Sequence, residues 1–245
     1  MAKKKPRIVC WFSCGAASAY ATYLASQEYS RIEAVYCHVR EEHPDSLRFL
    51  QEFSQKTGIH IRILQREKYK GSVREVLKQN NFIKGPSGAI CTRVLKKEVR
   101  KSFQRPTDIQ IFGYTAEEEK RANLFLDANN DVHERFILME KGISKSDCLN
   151  FLTNTPQIQL PIMYRLGYSN NNCVGCVKGG MGYWNKIRVD FPEVFDWMAK
   201  EERGRGFALN KDKKGPVFLD ELDPNRGHLS RDMPGDCGFT CEYKE

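Results

Sequence analysis

Residues 8–18, IVCWFSCGAAS, run from an apolar, β-branched stretch into a string of small residues, and the chain then continues as AYATYLASQEYS over 19–30. This is the writing of a strand, a tight loop and a helix N-terminus, an arrangement that turns backbone N–H groups and the hydroxyls of Ser13 and Ser18 toward one small volume. Gly15, Ala16 and Ala17 keep the backbone approachable, and a concave row of amides at the positive end of a helix favours an anion with several oxygens. The same residues also suit an ordinary strand-to-helix turn closed by a serine cap.

Working outward, Ile32–Val39 reads as a buried second strand, and Pro44-Asp45 opens a helix with Leu47, Leu50 and Phe53 on one side. Ile59–Leu64 supplies a third strand, with Ile59, Ile61 and Ile63 on one face and His60 and Arg62 on the other. Residues 109–115 and 133–139 read as the fourth and fifth strands, each followed by a helical pattern. Short strands alternating with helices imply right-handed crossovers and an α/β fold with a mostly parallel, five-stranded, doubly wound sheet whose ligands bind at the carboxyl ends of the strands. The turn-rich stretch QLPIMYRLGYSNNN (159–172) marks the division expected between an α/β domain, 1–160, and a cysteine-rich unit, 161–245.

The loop SCGAAS resembles the SGGxDS loop of the PP-loop (N-type) ATP pyrophosphatases, the superfamily with the adenine nucleotide alpha hydrolase fold that includes the phosphoadenosine phosphosulfate (PAPS) reductases and sulfur-inserting enzymes. Ser13, Gly15 and Ser18 match; Cys14 stands where glycine is usual and Ala17 where many members carry aspartate. The resemblance implies that Ser13, Cys14, Gly15, Ala16, Ala17 and Ser18 hold the pyrophosphate end of ATP with Mg2+. It places His43, in the segment after the second strand, near the adenosine part, although His43 reads equally as the residue that starts a helix. GYTAEEEKRA (113–122) resembles the family's motif of glycine, acidic stretch and arginine, which gives Gly113 a nucleotide contact and Arg121 a phosphate, to which a planar guanidinium can bond twice.

In GPSGAICTRVLKKEVRKSFQR (85–105), Leu95, Val99 and Phe103 recur at helical spacing, while Arg93, Lys96, Lys97 and Arg100 fall at i, i+3, i+4 and i+7 and predict one basic face suited to a nucleic-acid backbone. The stretch resembles the cysteine-plus-basic motif of PAPS and adenylylsulfate reductases. Cys91 is then a persulfide carrier or attacking thiolate, activated by nearby cations, with Lys96 and Arg121 neutralising charge at the reacting phosphate. A buried structural cysteine is the alternative.

Cys173-Val174-Gly175-Cys176 and Cys237-Gly238-Phe239-Thr240-Cys241 put four thiolates within reach of one tetrahedral ion or one cubane cluster. Spacing does not separate Zn2+ from a [4Fe–4S] cluster; resemblance to adenylylsulfate reductases and DNA phosphorothioation enzymes favours the cluster. Asp236-Cys237-Gly238 also resembles the Glu-Cys-Gly of sulfonucleotide reductases, without the histidine that comes after it there.

The 39 basic and 31 acidic residues leave a net charge of +8, in keeping with a polyanionic substrate. Nine cysteines, an odd number, suit thiols or metal ligands in a cytoplasmic protein better than disulfides. Neither a signal peptide nor a run of about 18 apolar residues is present, so no membrane partner is expected. The resemblance implies an ATP-dependent adenylating enzyme that activates a carbonyl of a nucleic acid or nucleotide for sulfur or nitrogen insertion, served by a sulfur-donor protein. A sulfonucleotide reductase and a non-catalytic nucleotide-binding protein are the alternatives.

Overall fold

The computed structural model describes residues 6–85, 88–130, 132–235 and 237. Its centre is an all-parallel five-stranded sheet of β1 (Ile8–Trp11), β2 (Glu33–Cys37), β3 (Ile61–Leu64), β4 (Ile109–Ile111) and β5 (His133–Arg135), in the order β3-β2-β1-β4-β5. The chain winds outward from β1 to β3 and then returns to the other side of β1, so the order reverses between β1 and β4. Open parallel sheets carry their ligand crevice at such a reversal, beyond the carboxyl ends of the strands.

The sheet is covered on both faces because its strands alternate between two apolar clusters. Ile8, Cys10 and Phe12 face a cluster built with α1 (Ala16–Glu28), α2 (Asp45–Thr57) and α6 (Lys145–Thr153); Val9 and Trp11 face another built with Val99, Phe112 and Phe125. Ala34 and Tyr36 against Val35 and Cys37 repeat the alternation on β2, as a period of two requires when both faces are buried. α1 approaches closely because its inward positions are small: Ala16, Ala17, Ser18, Ala19, Ala21, Thr22 and Ala25 are all buried.

Several elements depart from the reading of their sequence. On α2 the inward positions are Ser46, Phe49, Leu50 and Phe53, the i, i+3, i+4, i+7 set, and Leu47 is exposed. Ile63 is half exposed, because β3 is an edge strand. The fifth strand stops at Arg135, and Ile137–Glu140 coils into a helical turn that buries the adjacent Ile137 and Leu138 together, which a strand's alternation forbids.

A third apolar cluster joins the C-terminal residues to the α/β part. It contains Trp184, Ile187, Phe195 and Met198 from α7 (Met181–Asp190) and α8 (Pro192–Arg205), together with Val76 and Leu77 of α3 (Val73–Gln79) and Ile90, Val94 and Leu95. Residues 90–103 form one helical stretch, α4, whose middle, Arg93–Lys97, is a π-turn. This stretch is internal: Lys96, Lys97 and Arg100 are buried and only Arg93 of the four cations is exposed. The expected basic face is therefore not a surface, because the helix is packed on both sides and the wider π-turn shifts the phase of the residues after it. Between Ala122 and Val132, α5 (Glu119–Ala128) closes the second sheet face. Among the described residues no helix is long and apolar enough to cross a membrane.

Candidate functional site

The turn after β1 is held in shape from within. Cys14 has φ +58°, in the left-handed region that costs a side-chain-bearing residue about 1 kcal/mol or more and is the natural place for glycine. The Ser18 hydroxyl accepts from the Ser13 amide (3.0 Å), meets the Ser13 hydroxyl (3.0 Å) and donates to the Gly15 carbonyl (3.0 Å). Ser18 thus closes the loop on itself. The Ala16 amide is taken by the Tyr164 hydroxyl at 3.1 Å. The amides of Cys14, Gly15, Ala17 and Ser18 make no hydrogen bond to a described residue, which leaves a row of donors at the start of a 13-residue helix.

Gly113, the second residue after β4, presses against this start: a Cβ there would stand 2.6 Å from the Ser18 nitrogen and 2.8 Å from the Ala17 carbonyl carbon. The two loops flanking the reversal point are in backbone contact, and only glycine allows it. Ser13, Ser18, Gly113, Tyr114, Arg121, Lys96, Cys37 and Cys237 line one small cavity of about 40 Å³ at this place. Arg121 is carried in by α5, held by Glu118 and stacked at 5.0 Å over the Tyr114 ring. No carboxylate lines that cavity among the described residues. Of the residues that the sequence assigns to the nucleotide's phosphates and to charge neutralisation, Ser13, Ser18, Gly113, Arg121 and Lys96 meet here, whereas Cys14, Gly15, Ala16 and Ala17 do not line the cavity. His43 lies away from them, with its Nδ1 accepting from the Asp45 amide (3.1 Å) and its ring against Phe191, in a groove of about 580 Å³.

Lys96 reaches the cavity from α4 through a buried polar chain. Its ammonium donates to Glu42 Oε1 (2.9 Å), and the Tyr36 hydroxyl donates to Glu42 Oε2 (2.5 Å). Burial works against the ammonium, and the charge and hydrogen bond of Glu42, together with negative charge at Cys237 and Cys173, more than offset it, so the Lys96 pKa stands well above its ordinary value. Lys96 Nζ also lies 3.4 Å from the Cys237 carbonyl.

Cys237 belongs to two cavities. The second, of about 30 Å³, is lined by Cys91, Cys173, Cys176 and Cys237, with Glu41, Thr92 and Trp197. The Glu41 carboxylate is already engaged by Ser72 and by the Val73 and Arg74 amides at the start of α3. Cys91 sits in the first turn of α4 and is thereby on the cysteine cavity and not on the loop cavity. Cys241 falls outside the described residues. Burial, with Glu42 next, pushes the Cys173 thiol well above its ordinary pKa; burial raises Cys14 in the same way and lifts Cys10, Cys37 and Cys148 to about 12. Such thiols stay protonated at neutral pH unless a cation takes the proton's place. Among the described residues no group of three or more Cys, His, Asp or Glu side chains is arranged, as it stands, to hold a metal ion.

Sequence reasoning missed two features of the site. Glu42, in the segment after β2, anchors Lys96, and nothing in its local sequence marks it. Asn170, Asn171 and Asn172 were read as turn formers, yet all three side chains bond across the site, and three consecutive amides ahead of a cysteine pair are the signal that marked them.

What fold and site together define is a class: a parallel α/β protein with an amide-rich loop, two cations and two cysteines at its strand-reversal point. No family model, no curated protein and no solved structure matches the chain.

Proposed function

We propose that the chain is an ATP-dependent adenylating enzyme of the PP-loop, PAPS reductase-like kind, activating a carbonyl of a nucleotide or nucleic acid for sulfur or nitrogen transfer. The observation that carries this reading is the convergence of Ser13 and Ser18, at the two ends of the loop, with Gly113, Arg121 and Lys96 on one cavity where the strand order reverses. In the reaction a substrate carbonyl oxygen attacks the α-phosphorus, pyrophosphate leaves, and a nucleophile then displaces AMP from the activated carbon. The protein's share is alignment and charge. The Cys14, Gly15, Ala17 and Ser18 amides take the departing pyrophosphate oxygens, and Arg121 and the permanently charged Lys96 offset the charge that develops there. With no carboxylate among the described residues that line the cavity, Mg2+ would arrive on the nucleotide's phosphates.

The cysteine cavity belongs to the same proposal. Four thiols with no imidazole are the donor set of a structural zinc or a [4Fe–4S] cluster, so Cys173, Cys176 and Cys237, which line this cavity, would hold it with Cys241 as the fourth ligand, and Cys91 stands beside them. When bound, the group would fix the segment carrying Cys237 against the loop cavity. Because three of its four cations are buried, α4 gives no support to a polymer substrate over a free nucleotide.

One observation favours a second reading, a sulfonucleotide reductase: Cys237 lines the loop cavity as well as the cysteine cavity. There its thiolate would attack the sulfur of a sulfonucleotide, releasing the nucleoside phosphate and leaving a cysteine S-sulfonate that an external dithiol reduces to sulfite.

Calorimetric titration should show ATP and inorganic pyrophosphate binding to the wild-type protein, with affinity at least about tenfold lower in Gly15→Val, since a branched side chain would obstruct the amide row. Unchanged affinity in that variant rejects the loop as the anion site. Sulfite release from PAPS, with no pyrophosphate release from ATP, would select the reductase.

The metal assignment has its own check. Cys173→Ser, Cys176→Ser, Cys237→Ser and Cys241→Ser should each strip zinc or iron from the protein, read by elemental analysis or by loss of broad absorbance near about 400 nm, while Cys91→Ser retains it. Loss of metal in Cys91→Ser and retention in Cys241→Ser would make Cys91 the fourth ligand.

A further inference from the structure

Asn171 is 5 % exposed and its amide is spent in an unusual way. Nδ2 donates to the Cys14 carbonyl at 2.8 Å and to the Ser46 hydroxyl at 3.0 Å, while Oδ1 is buried without a hydrogen-bond partner among the described residues. An unmet buried acceptor costs about 1–3 kcal/mol. Cys14, the residue it grips, is the one in left-handed backbone. Two unfavourable local features, one on each side of a single hydrogen bond, indicate a bond that imposes the loop's shape against its own preference.

The neighbours of Asn171 face the other way. Asn172 Oδ1 accepts from the Cys237 amide (2.8 Å) and its Nδ2 donates to the Gly235 carbonyl (3.0 Å). Asn170 Nδ2 donates to the Pro234 carbonyl (2.9 Å), and its Oδ1 accepts from Lys145. Cys173 comes next in the chain and bridges Glu42 through backbone pairing, with Val174 N donating to the Glu41 carbonyl at 2.8 Å. A stretch of four residues, 170–173, therefore touches the amide-rich loop, the segment bearing Cys237 and the cysteine cavity.

We propose that Asn171 is the positioning residue of the 13–18 loop, and that the asparagine run makes the order of that loop depend on what fills the cysteine cavity. Fixing Cys173 and Cys237 through their sulfurs restrains Asn172 and, one peptide away, Asn171, which tightens its grip on Cys14. By linkage an anion in the loop tightens the cysteine cavity in return. The inference rests on the reading of residues 13–18 as an anion loop and of the four cysteines as a metal site, and it adds that the two are one coupled unit.

The test is amide hydrogen exchange of the peptide spanning 12–19 in reduced, chelator-treated full-length protein, without and with one equivalent of Zn2+ as the probe. Zinc should slow exchange in the wild-type loop by about tenfold, within the usual range of coupling between sites. Asn171→Leu, of similar shape and lacking the donor, should exchange fast in both states while β4 and α5 exchange as in the wild type. Asn172→Leu should exchange as the zinc-free wild type does and gain nothing from zinc. Equal wild-type exchange with and without zinc overturns the coupling, a result that needs no variant to fold. A rise in exchange spread evenly over the whole Asn171→Leu protein overturns the positioning role. Titration with inorganic pyrophosphate alongside separates this from the reading beneath it: zinc-dependent slowing without pyrophosphate binding keeps the coupling and removes the anion loop, whereas pyrophosphate binding without slowing does the reverse.

Discussion

Lys96→Met should lower the stability of this protein by about 3–5 kcal/mol, the cost typical of leaving one member of a buried ion pair behind. Lys96 and Glu42 keep only 6 % and 2 % of their side-chain surface, and no bulk water is at hand to take over when one is removed. Glu42 would retain the Tyr36 hydroxyl and lose its counter-charge. Glu42→Gln should cost a comparable amount, because it strands the ammonium. The double variant should recover much of the loss, as buried pairs replaced together often do, so that a double-mutant cycle gives a coupling of several kcal/mol. The folded pKa of Lys96 is raised, so its contribution is complete below the ordinary lysine value of about 10 and is lost as the pH rises from there through the folded value. Urea denaturation at pH 7 therefore reads the pair in full. Additive losses in the double variant would mean that the two residues do not act together, and would detach Lys96 from the loop cavity.

That pair also shows where reading a sequence stops. The five strands and the loop after the first were legible because backbone signals carry them: β-branched runs, small residues, and the period of two shared by Val9 and Trp11 against Ile8 and Cys10. The environment of a side chain is a different matter. Arg93, Lys96, Lys97 and Arg100 have the spacing of a solvated basic face, and nothing local reveals that residues 163–222 fold over it or that a π-turn interrupts it. Cys91 has the look of a reactive thiol beside cations, yet its cavity is made by Cys173, Cys176 and Cys237, some 80 to 150 residues further on. Asn171 is polar in a polar turn, and only the approach of Cys14, 157 residues earlier, gives its amide a task. Cys14 itself is the instructive departure. It adopts φ +58°, a conformation natural for glycine, and nothing about a cysteine in the sequence announces that.

Replacing Gly113 by alanine should damage the site through a backbone clash. The new Cβ would stand 2.6 Å from the Ser18 nitrogen, 2.7 Å from its Cα and 2.8 Å from the Ala17 carbonyl carbon, all backbone at the first turn of α1, which no side-chain rotation can clear. Either the end of β4 or the start of α1 must move. β4 is hydrogen-bonded on both sides, to β1 and to β5, whereas the first turn of the helix is the end that an anion is proposed to bind. Overpacking of this kind costs about 1–3 kcal/mol, and displacing a row of amides by even part of an ångström misaligns donors that must act together. The expected results are a fall in thermal midpoint of about 2–12 °C, at about 2–4 °C per kcal/mol for a chain of this size, and at least about a tenfold loss of pyrophosphate affinity. Gly204 supplies the control. It lies within α8, and a Cβ added there would meet nothing within 4 Å, so Gly204→Ala should hold or raise stability by up to about 1 kcal/mol, as alanine does in a helix, and leave the loop untouched. Matching midpoints and matching pyrophosphate affinities for the two alanine variants would show that the contact between Gly113 and α1 does not shape the anion loop.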